Sequence, residues 1–214
     1  MPLNLKKFVF SPFAENTYVI WEEESKEAVI IDPGCSNENE EEKLSVFISE
    51  NKIKPKYLIN THCHLDHIFG NYFVKNTYGT EYYAPEEDLF LIDKSVEQAK
   101  AFMVDIKPSP KPDDFLYDGF VLQLNGINNE FLFTPGHTPG EFCIYFPDDK
   151  ICLTGDVLFK QGIGRTDLWG GDYDTLMTSI KSRLLSLPDD VVIYPGHGES
   201  STISYEKKNN PFLQ

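Results

Sequence analysis

The sequence predicts an α/β fold: two mixed β-sheets packed together, with helices outside. Three observations carry that expectation. Short apolar runs bounded by turn residues recur along the chain, as strands do. Each half holds several such runs and then a helical pattern. No linker, low-complexity segment or short-period repeat separates the halves, so the 214 residues are expected to form a single domain, 1–214.

In the first half, LKKFVF, NTYVIW and EAVIID read as strands, with SPFAE and EEESKE as turns and Asp32-Pro33-Gly34 closing the third. Residues 38–50 read as a helix: Leu44, Phe47 and Ile48 fall at i, i+3 and i+4, and acidic residues crowd the first turn, where the helix dipole favours them. Pro55 precedes YLIN, a short buried strand. After THCHLDH a helix is expected from about Ile68 to Asn76. Pro85 opens a longer helical stretch to about Ile106, with Leu89, Ile92, Val96, Ala99, Met103 and Ile106 on one stripe. With the proline-rich KPSPKPDD that follows, this stretch is a candidate lid. In the second half FVLQL, EFLFT, FCIYF and KICLTG read as strands. Residues 174–187 read as a helix that Asp172 or Asp174 caps and Pro188 follows. VVIYPGHG is the last buried strand and its exit loop.

Charge narrows the partners. Nineteen basic against 34 acidic residues give a net charge of −15, which repels nucleic acid and anionic lipid and leaves a small molecule as the expected partner. No apolar run approaches the ~18 residues of a membrane span, and MPLNLKKFVF lacks the apolar stretch of a signal peptide. The four cysteines show no CxxC spacing, so they read as reduced thiols of a cytoplasmic protein.

The five histidines carry the chemistry. Each lies at the exit of a strand-like run, in a short segment that contains glycine or aspartate. Three stand in His62-Cys63-His64-Leu65-Asp66-His67, one in Thr134-Pro135-Gly136-His137, and one in Tyr194-Pro195-Gly196-His197. On an extended segment i and i+2 share a face, which groups His62, His64 and Asp66 and turns Cys63 away into packing. His67 joins them if the chain turns there, as a helix starting near Asp66 would make it do. Asp156, in Leu153-Thr154-Gly155-Asp156, also follows an apolar run beside a glycine and is the expected bridge. This many imidazole and carboxylate groups exceed the four of one closed tetrahedral site. They fit two metals sharing a bridge, or one metal with further histidines around it, and the ligand types suit zinc, iron or manganese.

HxHxDH, a later Gly-His, a Gly-Asp and a final Gly-His, in that order, resemble the metallo-β-lactamase superfamily. The resemblance runs from Asn16-Thr17-Tyr18 to Asn210-Pro211-Phe212, nearly the whole chain. It implies an αββα sandwich with the metals at one edge between the sheets. It implies His62, His64 and His137 as ligands of one metal, Asp66, His67 and His197 as ligands of a second, and Asp156 as the bridge.

Residue choices narrow the branch. The best-known class of true β-lactamases carries cysteine at the place of Asp156, and flavin-coupled di-iron members carry glutamate at the place of His64. Nuclease members bring an extra domain or a basic surface. The stretch from Thr154 to Gly171, TGDVLFKQGIGRTDLWGG, resembles glyoxalase II and its short relatives, which hydrolyse thioesters such as S-lactoylglutathione. That resemblance implies a dinuclear hydrolase, with two Zn²⁺ or with iron or manganese instead, using a metal-bridging hydroxide. Asp66 orients the hydroxide and takes its proton. The C-terminal helical domain of glyoxalase II is expected to be missing. Arg165 stands where glyoxalase II places a basic residue facing the glutathione moiety; a salt bridge to Asp167 is the other reading of it. Lys160 is a second candidate for an anionic substrate. The alternative activity is that of a mononuclear iron, persulfide dioxygenase-like oxygenase, with His62, His137 and Asp156 as its facial triad.

Overall fold

The computed structural model describes residues 3–214, which fall into two compact units. The first contains the residues up to Phe115 together with Gln123–Ile127; the second contains Leu116–Leu122 and Asn128–Gln214.

The first unit is built on a six-stranded mixed sheet: β1 (Leu3–Phe10), β2 (Glu15–Glu22), β3 (Glu27–Ile31), β4 (Lys54–Ile59), β5 (Glu81–Ala84) and β6 (Asp114–Phe115), in that spatial order. β1, β2 and β3 pair antiparallel, and β3 to β6 pair parallel. α1 (Glu38–Glu50) provides the β3–β4 crossover. Asn37 caps it by accepting from the backbone N–H of Glu40, and Leu44 and Ile48 bury its apolar face against Ile30, Leu58 and Val19. Each such side chain contributes about 1.5–3 kcal/mol by leaving water. α2 (Asn71–Tyr78), α3 (Leu89–Asp93) and α4 (Ser95–Ala101) complete the unit.

The second unit has a five-stranded mixed sheet. Its strands are β7 (Glu130–Phe133), β8 (Phe142–Phe146), β9 (Ile151–Gly155), β12 (Val192–Pro195) and β13 (Ser201–Thr202), in the order β13-β12-β9-β8-β7. A small hairpin, β10 (Leu158–Phe159) with β11 (Gly162–Ile163), follows β9. β9 and β12 pair parallel; the other pairs are antiparallel. α5 (Tyr173–Ser179) runs into a π-turn over Ile180–Leu184, and α6 (Ile203–Asn209) follows β13. Leu176, Ile180 and Leu184 pack on Cys152, Val191 and Ile193. Two mixed sheets with flanking helices are therefore present, as the sequence predicts. All four cysteines are buried free thiols.

Several predicted elements differ. The helix expected from Ile68 starts at Asn71, after a single 3-10 turn over Leu65–His67. The stretch after Pro85 breaks at Lys94 into α3 and α4, and residues 104–113 are irregular. FVLQL is not a strand: the Asn129 side chain takes both backbone groups of Leu122, accepting from its N–H at 2.8 Å and donating to its C=O at 3.0 Å. The sequence does not predict β5, β6, the β10–β11 hairpin, β13 or α6; four of these five strands have only two residues. No helix among the described residues is long and apolar enough to cross a membrane.

Candidate metal centre

Parallel strands release their ends at one edge, where loops bring side chains together. In the first unit β3 and β4 are parallel neighbours, with Ile31 opposite Ile59. Asp32 follows the one; Asn60, Thr61 and His62 follow the other. The chain then turns: the N–H of His67 donates to the carbonyl of His64 at 3.1 Å, so the 3-10 turn, not an α-helix, brings His67 back. Asn60 pins that turn by donating from Nδ2 to the carbonyl of His67 at 2.8 Å. The His62 and His67 rings are 4.1 Å apart between centroids, and His64 meets His62 edge-on at 5.0 Å. His62, His64 and His67 are buried; Asp66 is half-buried, with Oδ2 at 3.9 Å from Nε2 of His67. Cys63 is fully buried in the core, and burial pushes its thiol well above the ordinary range, so it stays a neutral packing group.

Asp32, which closes β3 in the sequence pattern as a turn residue, belongs to this cluster. It is 2% exposed. Oδ1 accepts from the backbone N–H of Thr61 at 2.7 Å and Oδ2 from its hydroxyl at 2.6 Å. The same Oδ2 lies 3.1 Å from Nδ1 of His67, and the Thr61 hydroxyl lies 3.2 Å from Nδ1 of His62. Asp32, His62 and His67 bring ligand-type atoms within 4.8 Å of one another. With Nδ1 of both imidazoles facing these oxygens, Nε2 is left as the ligand atom, the arrangement by which a carboxylate orients metal-binding histidines. Asp32 stands at a strand exit two residues before Gly34, but its partner Thr61 lies 29 positions along the chain, so nothing local separates it from a turn aspartate. Near this cluster Glu15 is fully buried, and burial, the largest cause, pushes its carboxyl well above the usual range.

The second unit repeats the logic. β9 and β12 are parallel neighbours, with Gly155 opposite Pro195. The N–H of Gly196 donates to the carbonyl of Gly155 at 2.7 Å, tying the His197 loop to the Asp156 loop. Oδ2 of Asp156 lies 3.7 Å from Nε2 of His137 and 3.6 Å from Nε2 of His197. Two ligands of one tetrahedral zinc, each about 2.1 Å from it, are separated by about 3.4 Å, so this spacing fits a shared metal. Nδ1 of His137 donates to the backbone carbonyl of Arg165 at 2.7 Å, again leaving Nε2 as the ligand atom. The His137 loop needs Gly136: its φ is 136°, and a Cβ there would lie 2.3 Å from the backbone of Leu176.

The two basic candidates are engaged on the surface. Arg165 grips Asp167 through two bonds of 2.7 Å, and Lys160 donates to Glu199 at 2.6 Å. The Arg165 hydrogen bonds hold the Asp167 carboxyl down to about 2.

The metallo-beta-lactamase superfamily model matches residues 11–197. This chain belongs to that superfamily. The hydroxyacylglutathione hydrolase GloC of Haemophilus influenzae is 42% identical over 213 residues, 99% of this chain and 98% of that protein. Among solved structures, the BLEG-1 B3 metallo-beta-lactamase is 32% identical with a TM-score of 0.90, covering 99% of this chain and 100% of that one. TTHA1623, solved in a di-iron-bound form, is 34% identical with a TM-score of 0.86, over 97% of this chain and 100% of that one. A metallo-hydrolase with a histidine and aspartate site for a divalent metal is thus the coarse identity of this superfamily member.

Proposed function

We propose that this superfamily member is a dinuclear hydrolase of small thioesters of the S-2-hydroxyacylglutathione type. The observation that carries the reading is the Asp156 carboxylate, with one oxygen 3.7 Å from His137 Nε2 and 3.6 Å from His197 Nε2. A carboxylate set between two imidazole nitrogens that both present Nε2 suits a bridging ligand. The likeness to GloC supports the thioester.

In this reading His62, His64 and His137 hold one metal, Asp66, His67 and His197 a second, and Asp156 serves both. A pair of Zn²⁺ ions held there, or of iron or manganese, would supply an acidified water and a Lewis acid for a carbonyl oxygen. The residues do the rest. Asp32 and Thr61 fix the tautomers of His67 and His62. Asp66, the half-buried carboxylate on the turn, orients the attacking water and takes its proton. The leaving thiolate needs no general acid, because an unperturbed thiol has a pKa of only about 8.5, and none is assigned. Arg165 and Lys160 bind the anionic thiol carrier by exchanging Asp167 and Glu199 for substrate carboxylates. The substrate is a small molecule handled in the cytoplasm, and the 1–214 chain acts as one domain.

The test pairs elemental analysis with a substrate panel. Metal-replete protein should hold two metals per chain and hydrolyse S-lactoylglutathione and related thioesters. The panel includes a chromogenic β-lactam, because BLEG-1 bears that name. Turnover of the β-lactam without thioester turnover would overturn the substrate; a single iron in replete protein would overturn the dinuclear reading and favour the oxygenase.

A further inference from the structure

Glu141 is fully buried, with 0% exposure, yet it is acidic and far in sequence from most of the proposed ligands. It stands at the end of the His137 loop, immediately before Phe142 opens β8. Its backbone carbonyl accepts from the N–H of Thr134 at 2.8 Å, which closes the loop from Thr134 to Glu141 that carries His137. Its side chain points to the other loop: Oε1 accepts from the backbone N–H of Asp156 at 2.6 Å. One residue therefore holds the His137 loop by its main chain and the start of the Asp156 loop by its side chain. A backbone N–H fixed at this distance holds the main chain of Asp156, and with it the point from which its side chain departs, against the His137 loop. Gly164 confines the same residue from the carbonyl side, since a Cβ there would lie 1.9 Å from the carbonyl oxygen of Asp156.

We propose that Glu141 is a positioning residue: its carboxylate, through the Asp156 N–H, sets the spacing between His137 and Asp156 that a shared metal requires. The proposal rests on the reading of Asp156 as a metal ligand. It makes a specific demand on the side chain, namely an acceptor oxygen at the reach of a glutamate. Charge is not required, and a shorter acid does not serve.

Two conservative variants separate reach from charge. Glu141→Gln keeps an acceptor oxygen at the same reach and loses the charge. Glu141→Asp keeps the charge and withdraws the oxygen by one methylene. Full-length proteins are stripped of metal and titrated with Zn²⁺ against a chromophoric chelator, with thermal melting of the metal-free forms run alongside. Outer groups that orient metal ligands set affinity by about 10- to 100-fold, so Glu141→Asp should bind its weaker zinc that much less tightly, while Glu141→Gln stays within about threefold of the parent. In thioester turnover, kcat should fall in the aspartate variant with KM little changed. The reverse ranking, aspartate intact and glutamine defective, would show that charge acts rather than the hydrogen bond, and would overturn the proposal. So would zinc affinity unchanged in both variants, or lowered only in step with thermal stability of the metal-free protein. Asp156→Ala run in parallel tells the two failures apart. If it keeps both zincs, the metal-site reading itself has failed; if it loses zinc while Glu141→Asp does not, only the role of Glu141 has failed.

Discussion

Oδ2 of Asp156 stands 3.6 Å from Nε2 of His197, beyond a hydrogen bond and close to the spacing of two ligands on one ion. The relationship follows from topology. Parallel pairing of β9 with β12 sets Gly155 opposite Pro195, so the residues one and two positions further on emerge at the same edge. If Asp156 bridges as proposed, Asp156→Ala should remove most bound metal and nearly all hydrolysis, because a shared anionic ligand is lost. Elemental analysis after gel filtration checks it, and retention of two metals with near-normal rates would defeat the bridging role.

Asp32 offers a second prediction. Its two oxygens take the N–H and the hydroxyl of Thr61, and one of them faces His67. Asp32→Ala strands two buried donors, each worth about 1–3 kcal/mol when left unmade. It also frees His67 to rotate, so zinc affinity should fall by about 10- to 100-fold. Asp32→Asn keeps an acceptor for the Thr61 N–H but not for both the hydroxyl and His67. It should recover part of the stability and little of the metal affinity. Urea melts and chelator competition read the two effects separately, and a variant that loses stability alone would reduce Asp32 to a loop support.

Much of this was legible from residue order. The first three strands and α1 were legible because the apolar patterning of each, and the acidic first turn of α1, act locally. The candidate ligands were legible as a pattern because all five histidines follow strand-like runs. Asp32 and Glu141 were not, since each is a single acidic residue whose partner lies far along the chain: Thr61 at 29 positions and Asp156 at 15. Their roles exist only once β3 lies beside β4 and β8 beside β9. FVLQL was misread for a related reason, as the Asn129 side chain replaced the neighbour strand that its pattern called for.

Two glycines of the loop after Asp156 should respond oppositely to alanine. A Cβ at Gly164 would lie 1.9 Å from the Asp156 carbonyl oxygen and 3.1 Å from Cβ of His137, so both loops must shift. Gly164→Ala should cost about 1–3 kcal/mol, as overpacking does, and should lower zinc content. A Cβ at Gly162 would meet nothing nearer than Phe159 at 3.6 Å, an ordinary contact. Gly162→Ala should keep metal and melting temperature close to the parent. Equal behaviour of the two would mean that the Gly164 contact relaxes without touching the site.

The Arg165 and Asp167 pair sets the last prediction. Both side chains are exposed, and two hydrogen bonds of 2.7 Å join them. The Arg165 bonds hold the Asp167 carboxyl down to about 2. A carboxyl lowered on folding adds stability above its unfolded range and loses it as pH falls toward the folded value, so the pair is closed throughout neutral pH. An anionic thiol carrier must then displace Asp167 before Arg165 can bind it. Asp167→Asn should lower KM for anionic thioesters with kcat little changed, the signature of altered ground-state binding. Arg165→Ala should raise KM for the same substrates and leave neutral thioesters alone. The changes should be only about two- to fivefold, because exposed ion pairs contribute little. NMR titration supplies the check on the cause: the Asp167 midpoint should sit at about 2 in the parent and return toward the ordinary value of about 3.9 in Arg165→Ala. If Arg165→Ala harms neutral and anionic thioesters alike, the residue supports its loop, whose carbonyl at position 165 holds His137, and does not meet the substrate.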